Sequence, residues 1–467
     1  MKVSLNLIRK YVDLPEGLTD EQIAYDMTLR TVEVEEVENT AKKFHDIVVG
    51  EILEIKAHPN ADKLRICMVD IGEEEPVQIV CGGSNLYVGE HVVVSKPGAE
   101  VVWHGQGEPV KITKTKMRGE SSYGMICAST EVYLSDFFPN EEESEIVDLK
   151  DFDCKPGDSV ADLFGMNDTV LEIDNKSLSN RPDLWGHYGI ARELSAIYDV
   201  PLKELPKYEI PKVPEYSVEI KDTTKCNRYV AVEIDGIYEK PSPMWMQSLL
   251  SKVGQRPINA IVDITNYVML EYGQPMHAYD LDNVKGHTIT VRRGRAGETL
   301  KTLDDQPHEL NHELIVISDA ERAIGVAGVM GGANSEVTEN TVNILFEAAT
   351  FKASTVRRGA KALGMRTDAS ALFEKGLDVY NLDGAIDRAC QLITEMGAGE
   401  VMSGTVEAAA EMPKPFTLPL EAEKINSFLG MNIPKDAMVE ILKKLEFEVE
   451  NDIITVPSFR PDIESRA

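Results

Sequence analysis

The chain has 467 residues, 43% of them hydrophobic and 27% charged, which predicts roughly three globular domains and excludes general disorder. Its 48 Lys and Arg against 79 Asp and Glu leave a formal net charge of −31, so RNA could be held only by local basic patches and not by the overall field. No apolar run approaches the ~18 residues of a spanning helix and the start lacks a signal-peptide block, so a soluble, cytoplasmic protein is expected.

Six cysteines without a CxxC pair exclude a disulfide framework and a zinc ribbon, and nine histidines without HExxH give no support to a zinc hydrolase. Thr19 and Gln22 form a capping-box pattern with Leu18 and Ile23 placed as a staple, which predicts a helix from there to residue 29. Val32-Glu33-Val34-Glu35 then alternates as a half-buried strand does. Residues 47–134 hold short β-type runs at 47–52, 66–71, 78–81 and 91–94, separated by turns such as His58-Pro59-Asn60-Ala61-Asp62. That spacing predicts a small barrel, followed by an exposed acidic loop at 140–145.

Asn180-Arg181-Pro182-Asp183 reads as a loop leading into a helix around 189–194, and Pro201, Pro206, Pro211 and Pro214 mark a boundary. A mixed segment over 218–405 contains a strand at 287–291 and a helix at 383–395. After Pro413 and Pro415, helices at 421–429 and 435–445 precede a β-pair ending near Val456.

Several segments could carry chemistry. Lys111, Lys114, Lys116 and Arg118 lie in a stretch without an acid, as do Arg357, Arg358 and Lys361 further on. Each is either a solvated face or an RNA contact. Asp263, Thr265, Asn266 and His277 place donors and acceptors close together, as a polar pocket wall requires. His277 is either a structural hydrogen-bonder or a base. The run 323–332 matches neither a Walker loop nor GxGxxG; its glycines serve close approach of a ligand, a tight turn or tight packing. Glu347, within an apolar run, either faces solvent from an alternating strand or is buried and hydrogen-bonded as a specificity group.

Together these segments resemble the beta subunit of bacterial phenylalanyl-tRNA synthetase. The resemblance rests on Asn180-Arg181-Pro182-Asp183, Gly189-Ile190-Ala191-Arg192-Glu193, Thr265-Asn266 with Gln274-Pro275-Met276-His277-Ala278, and Gly325-Val326-Ala327-Gly328-Val329-Met330-Gly331-Gly332. Arg366-Thr367-Asp368-Ala369-Ser370 and Phe373-Glu374-Lys375-Gly376 complete it. It implies an α+β multidomain chain. An OB-fold tRNA-binding barrel at 40–152 is inserted in a small α+β domain of residues 1–39 and 153–205. An editing-type (B3/B4) domain follows at 206–405, and a truncated winged-helix-like (B5-type) domain at 406–467. The chain is accordingly expected to be an N-terminal fragment. Asp462 matches the first ligand of the family's magnesium site, whose other ligands fall beyond the chain, so a complete site is not expected.

The resemblance further implies ATP-dependent charging of tRNA-Phe with phenylalanine by the whole alpha2beta2 heterotetramer, whose alpha subunit carries that active site and the ATP. The fragment itself would bind tRNA, through Lys111, Lys114, Lys116 and Arg118, and hydrolyse tyrosine wrongly joined to tRNA-Phe. No membrane or DNA partner is expected. Glu347 would accept a hydrogen bond from the tyrosine phenol, Ala327 and Gly328 would admit the ring, and Thr265, Asn266 and His277 would line the pocket and position water. No serine or cysteine arrangement requires a covalent nucleophile. The competing reading is a scaffold that docks tRNA and holds the alpha subunit around an inactive pocket.

Overall fold

The helix predicted after the capping box begins where expected, because its start is locally encoded. Thr19 Oγ1 accepts a hydrogen bond from the Gln22 backbone N–H at 3.1 Å and caps the helix Asp20–Arg30. The strand predicted at 32–35 lies instead at Val34–Asn39, since pairing with the distant strand Thr169–Ile173 sets its register. The structure is a computed structural model that describes all residues except 140, 141, 143, 211–216, 239, 403 and 464–467. Pro211, Pro214, part of the acidic run and the last four residues therefore lie outside the described residues. The chain is mixed α+β and divides into two compact units.

One unit comprises Glu38–Val170 and Met244–Pro257. Its main sheet runs Met125–Ile126, His91–Ser95, Ile47–Ala57, Arg65–Asp70, Val77–Cys81, all antiparallel. Tyr123 N donates to Gln78 O at 2.9 Å, and Ser122 Oγ accepts from Val80 N at 3.0 Å. These bonds bring the two ends of the sheet together into a nearly closed barrel. Ile52, Cys67, Val69, Ile79, Val92 and Val94 form one of its cores. Two hairpins, Glu100–Val101 with Val110–Lys111 and Thr115–Met117 with Glu120–Ser122, carry the basic stretch. The helix Met244–Lys252 belongs to this unit, where Lys252 Nζ meets the buried Asp168 carboxylate at 2.8 Å.

The other unit comprises Met1–Val37, Leu171–Pro243 and Ile258–Ala467. Its largest antiparallel sheet runs Met276–Asp280, Ile344–Phe351, Cys226–Asp235, Glu400–Val401, with Val406–Ala409 also on Cys226–Asp235. The helices Ala260–Tyr272 and Asn381–Glu395 pack against it. A second sheet runs Ser217–Ile220, Thr288–Arg293, Ile315–Ser318, Ala323–Val326, Met330–Gly331. Its apolar side shares one core with Tyr229, Tyr279, Leu345 and Ala349 of the first sheet. Sheets that bury both faces read as continuous apolar runs, and all eight residues of Ile344–Phe351 are buried.

The motif around Arg181 is a structural ion network. Arg181 binds Asp183 at 2.8 and 2.9 Å and Glu193 at 2.5 Å, fixing the loop to the helix His187–Tyr198. The last segment pairs Phe416–Pro419, Ile453–Val456 and Glu448–Glu450 antiparallel, beside helices Ala422–Leu429 and Lys435–Lys444. All six cysteines are buried and free. Among the described residues no helix is long and apolar enough to cross a membrane.

Candidate functional site

A polar side chain at the centre of an apolar strand needs partners, and the register supplies them. Glu347 pairs with His277 on one side and Ala231 on the other. Tyr279 pairs with Leu345, and Tyr229 with Ala349, so each tyrosine is a diagonal neighbour of Glu347 on the same face. Both hydroxyls donate to Glu347 Oε2, Tyr229 at 2.6 Å and Tyr279 at 2.5 Å. Burial raises the Glu347 carboxyl above its usual range and the two donors pull it back. Burial and the carboxylate hold both phenols far above their ordinary values, so they remain donors. Oε1 has no hydrogen-bond partner among the described residues.

Glu347 lines a cavity of about 230 Å³ together with His277, Tyr279, Ala327, Gly328 and Gly331. Leu303, Ile317, Phe373, Thr367 and Ala369 also belong to its largely apolar wall. His277 stands edge-on to Tyr279, with ring centroids 4.5 Å apart. Burial lowers its imidazole to about 4, so the ring is neutral at pH 7. A base that weak has little drive to abstract a proton, and orienting water or a hydroxyl by accepting a hydrogen bond is the task it fits.

The glycine run serves two purposes. Gly325 pairs with Gly331 across the strands Ala323–Val326 and Met330–Gly331. A Cβ on Gly331 would sit 2.6 Å from the His277 imidazole, so glycine here makes room for that ring. Gly328, at φ +68°, makes the turn between the strands, and its missing side chain leaves space taken by Phe373 and Val356. Ala327 and Gly328 thus both line the cavity, Gly328 through its backbone.

Thr265 and Asn266 are not among the residues that line this cavity. Both lie on the helix Ala260–Tyr272, where the Thr265 hydroxyl donates to the Val262 carbonyl at 2.7 Å. The helix ends at Gly273, φ +73°, and only the strand beyond it carries His277 to the cavity. Asp263 is likewise committed elsewhere, accepting from Ser242 Oγ at 2.5 Å and Ile258 N at 2.8 Å.

Tyr229 and Tyr279 were given no role from the sequence and Gly331 stood unassigned in the noted glycine run, since only strand register aligns them with Glu347 and His277. Thr367 and Ala369 stood in a segment noted for its resemblance. There, Thr367 caps the helix Asp368–Phe373 and donates to the Val329 carbonyl at 2.8 Å.

In the barrel unit, Lys111, Lys114, Lys116 and Arg118 are all exposed. Lys114 lies 4.0 Å above the Tyr123 ring, and Arg118 sits at the hairpin turn with φ 47°. Arg357, Arg358 and Lys361 are exposed on the helix Ala353–Leu363. Asp462 is held by Arg460 through two bonds of 2.8 Å, and no group of three or more metal-ligating side chains occurs among the described residues.

Three family models match the chain: "Putative tRNA binding domain" over 47–159, "B3/4 domain" over 225–398 and "tRNA synthetase B5 domain" over 418–467. The phenylalanine–tRNA ligase beta subunit of Bacillus cereus (strain ZK / E33L) is 40% identical over 472 residues, covering 99% of this chain and 57% of that protein. The subunit of the same name from Latilactobacillus sakei subsp. sakei (strain 23K) is 38% identical over 481 residues, covering 100% of this chain and 58% of that protein. That of Geobacillus kaustophilus (strain HTA426) is 40% identical, covering 99% and 58%. The chain thus spans a little over half the length of the relatives it matches.

Proposed function

Because the chain belongs to the family of phenylalanine–tRNA ligase beta subunits, we propose that its Glu347 cavity hydrolyses tyrosine wrongly esterified to tRNA-Phe while its barrel unit binds that tRNA. The observation that carries this reading is the Glu347 carboxylate: one oxygen is held by two tyrosines, and the other is left for a ligand in an apolar cavity. An apolar synthetic pocket that accepts phenylalanine rejects an added hydroxyl only by about 10²-fold, so a second site that reads the hydroxyl directly improves accuracy. A phenol donating to Glu347 Oε1 gains roughly 1.5–3 kcal/mol, equivalent to about 10- to 150-fold preference for tyrosine. Phenylalanine in the same place leaves that oxygen buried and unpaired.

The chain's own part in the reaction is positioning. Ala327, Gly328 and Phe373 enclose the ring, Glu347 fixes its hydroxyl, and neutral His277 orients water towards the ester. Lys111, Lys114, Lys116 and Arg118 are the proposed contacts to the RNA backbone. Charging of tRNA-Phe with phenylalanine belongs, on this reading, to the complete alpha2beta2 enzyme, in which this chain serves the beta subunit's editing role.

Glu347→Ala tests the assignment. The variant, checked for folding by circular dichroism, should lower the ratio of tyrosyl- to phenylalanyl-tRNA-Phe hydrolysis by about tenfold or more. An unchanged ratio would contradict it.

A further inference from the structure

Glu347 is a buried carboxyl with no ion-pair partner among the described residues. The titratable groups facing it are Cys226 and Tyr229 from the strand Cys226–Asp235, and His277 and Tyr279 from Met276–Asp280. None is a cation at neutral pH: burial raises the Cys226 thiol and lowers His277 to about 4. The two phenols are therefore what supports the charge.

They also divide the carboxylate. Tyr229 and Tyr279 approach the same oxygen from opposite flanking strands, at 2.6 and 2.5 Å. A carboxylate oxygen has two lone pairs, so two donors fill Oε2 and a third finds room only on Oε1. We propose that Tyr229 and Tyr279 are positioning residues that present Oε1 of Glu347 as the acceptor for the ligand phenol. This rests on the reading of the cavity as tyrosine-selective.

The two tyrosines are not equivalent. Tyr279 lines the cavity and supports the His277 ring. Tyr229 is fully buried and is not among the lining residues, so it acts on a ligand only through Glu347. Tyr229→Phe removes one donor, leaves the lining side chains in place and makes the carboxylate harder to ionise. The protonated acid turns from acceptor towards donor, so the preference for a phenol fades at higher pH than in the wild type. Loss of packing alone would weaken binding of both ligands and leave the pH midpoint where it was.

The test is calorimetric titration of the chain with two non-hydrolysable probes, the amide-linked tyrosyl and phenylalanyl derivatives of 3′-amino-3′-deoxyadenosine, from pH 5 to 8. Wild type should bind the tyrosyl probe at least about tenfold more tightly at pH 8. In Tyr229→Phe the midpoint at which this preference is lost should rise by about one pH unit, a tenfold change in ionisation, with phenylalanyl affinity within about twofold of wild type. Tyr279→Phe should move the midpoint in the same direction. Midpoints equal to wild type in both variants, with or without a uniform loss of affinity, would overturn the positioning role. A wild type without preference, or a Glu347→Ala variant that keeps it, would instead overturn the reading of the cavity.

Discussion

Glu90 and Glu347 are both buried carboxyls, and the difference between them separates a site from a liability. Glu347 lines a cavity and has two hydroxyl donors on one oxygen. Glu90, fully buried in the barrel unit, accepts from Tyr87 N at 3.0 Å through Oε2, while its Oε1 has no hydrogen-bond partner among the described residues. Burial, with a smaller push from Asp148, raises Glu90 from 4.5 to about 7. Between those values the folded chain keeps a proton that the unfolded chain has lost. Glu90 thus favours folding at acid pH, and that contribution, at most about 3 kcal/mol, is lost as pH rises through 7. Glu90→Gln should gain stability relative to wild type between pH 5 and pH 8, measured as the difference in melting temperature. Parallel pH profiles would show that Glu90 ionises freely. From the residues alone Glu347 could equally face solvent or be buried, because the two tyrosines that decide its state come from other strands.

At the scale of elements, locally encoded features were legible and register was not. The Thr19 cap, the helices in the last segment and the barrel's short strands follow from residues close in sequence. The Val34–Asn39 strand and the neighbours of Glu347 depend on pairing with distant segments. The Asn180-Arg181-Pro182-Asp183 motif was visible, and its structural purpose was not. A Cβ on Gly189 would lie 1.9 Å from the Asp183 carbonyl oxygen, so the helix His187–Tyr198 meets the loop backbone too closely for any side chain. Gly189→Ala should destabilise the chain by about 1–3 kcal/mol or more. A melting temperature equal to wild type would show that the loop gives way.

At the scale of the molecule, a net charge of −31 coexists with a basic hairpin segment in the barrel unit, so any grip on RNA is local and directional. The ordered succession of motifs made the family legible, and similarity over 99% of the chain supports it. That Leu303 and Ile317 share a cavity with Glu347 and His277 came only with the fold. The account's central claim is that this cavity recognises a misplaced tyrosine by its hydroxyl. Its most direct test is ester hydrolysis by the wild-type chain, supplied separately with tyrosyl- and phenylalanyl-charged tRNA-Phe. Faster loss of tyrosine, by about tenfold or more, is predicted. Equal rates, or faster loss of phenylalanine, would contradict it.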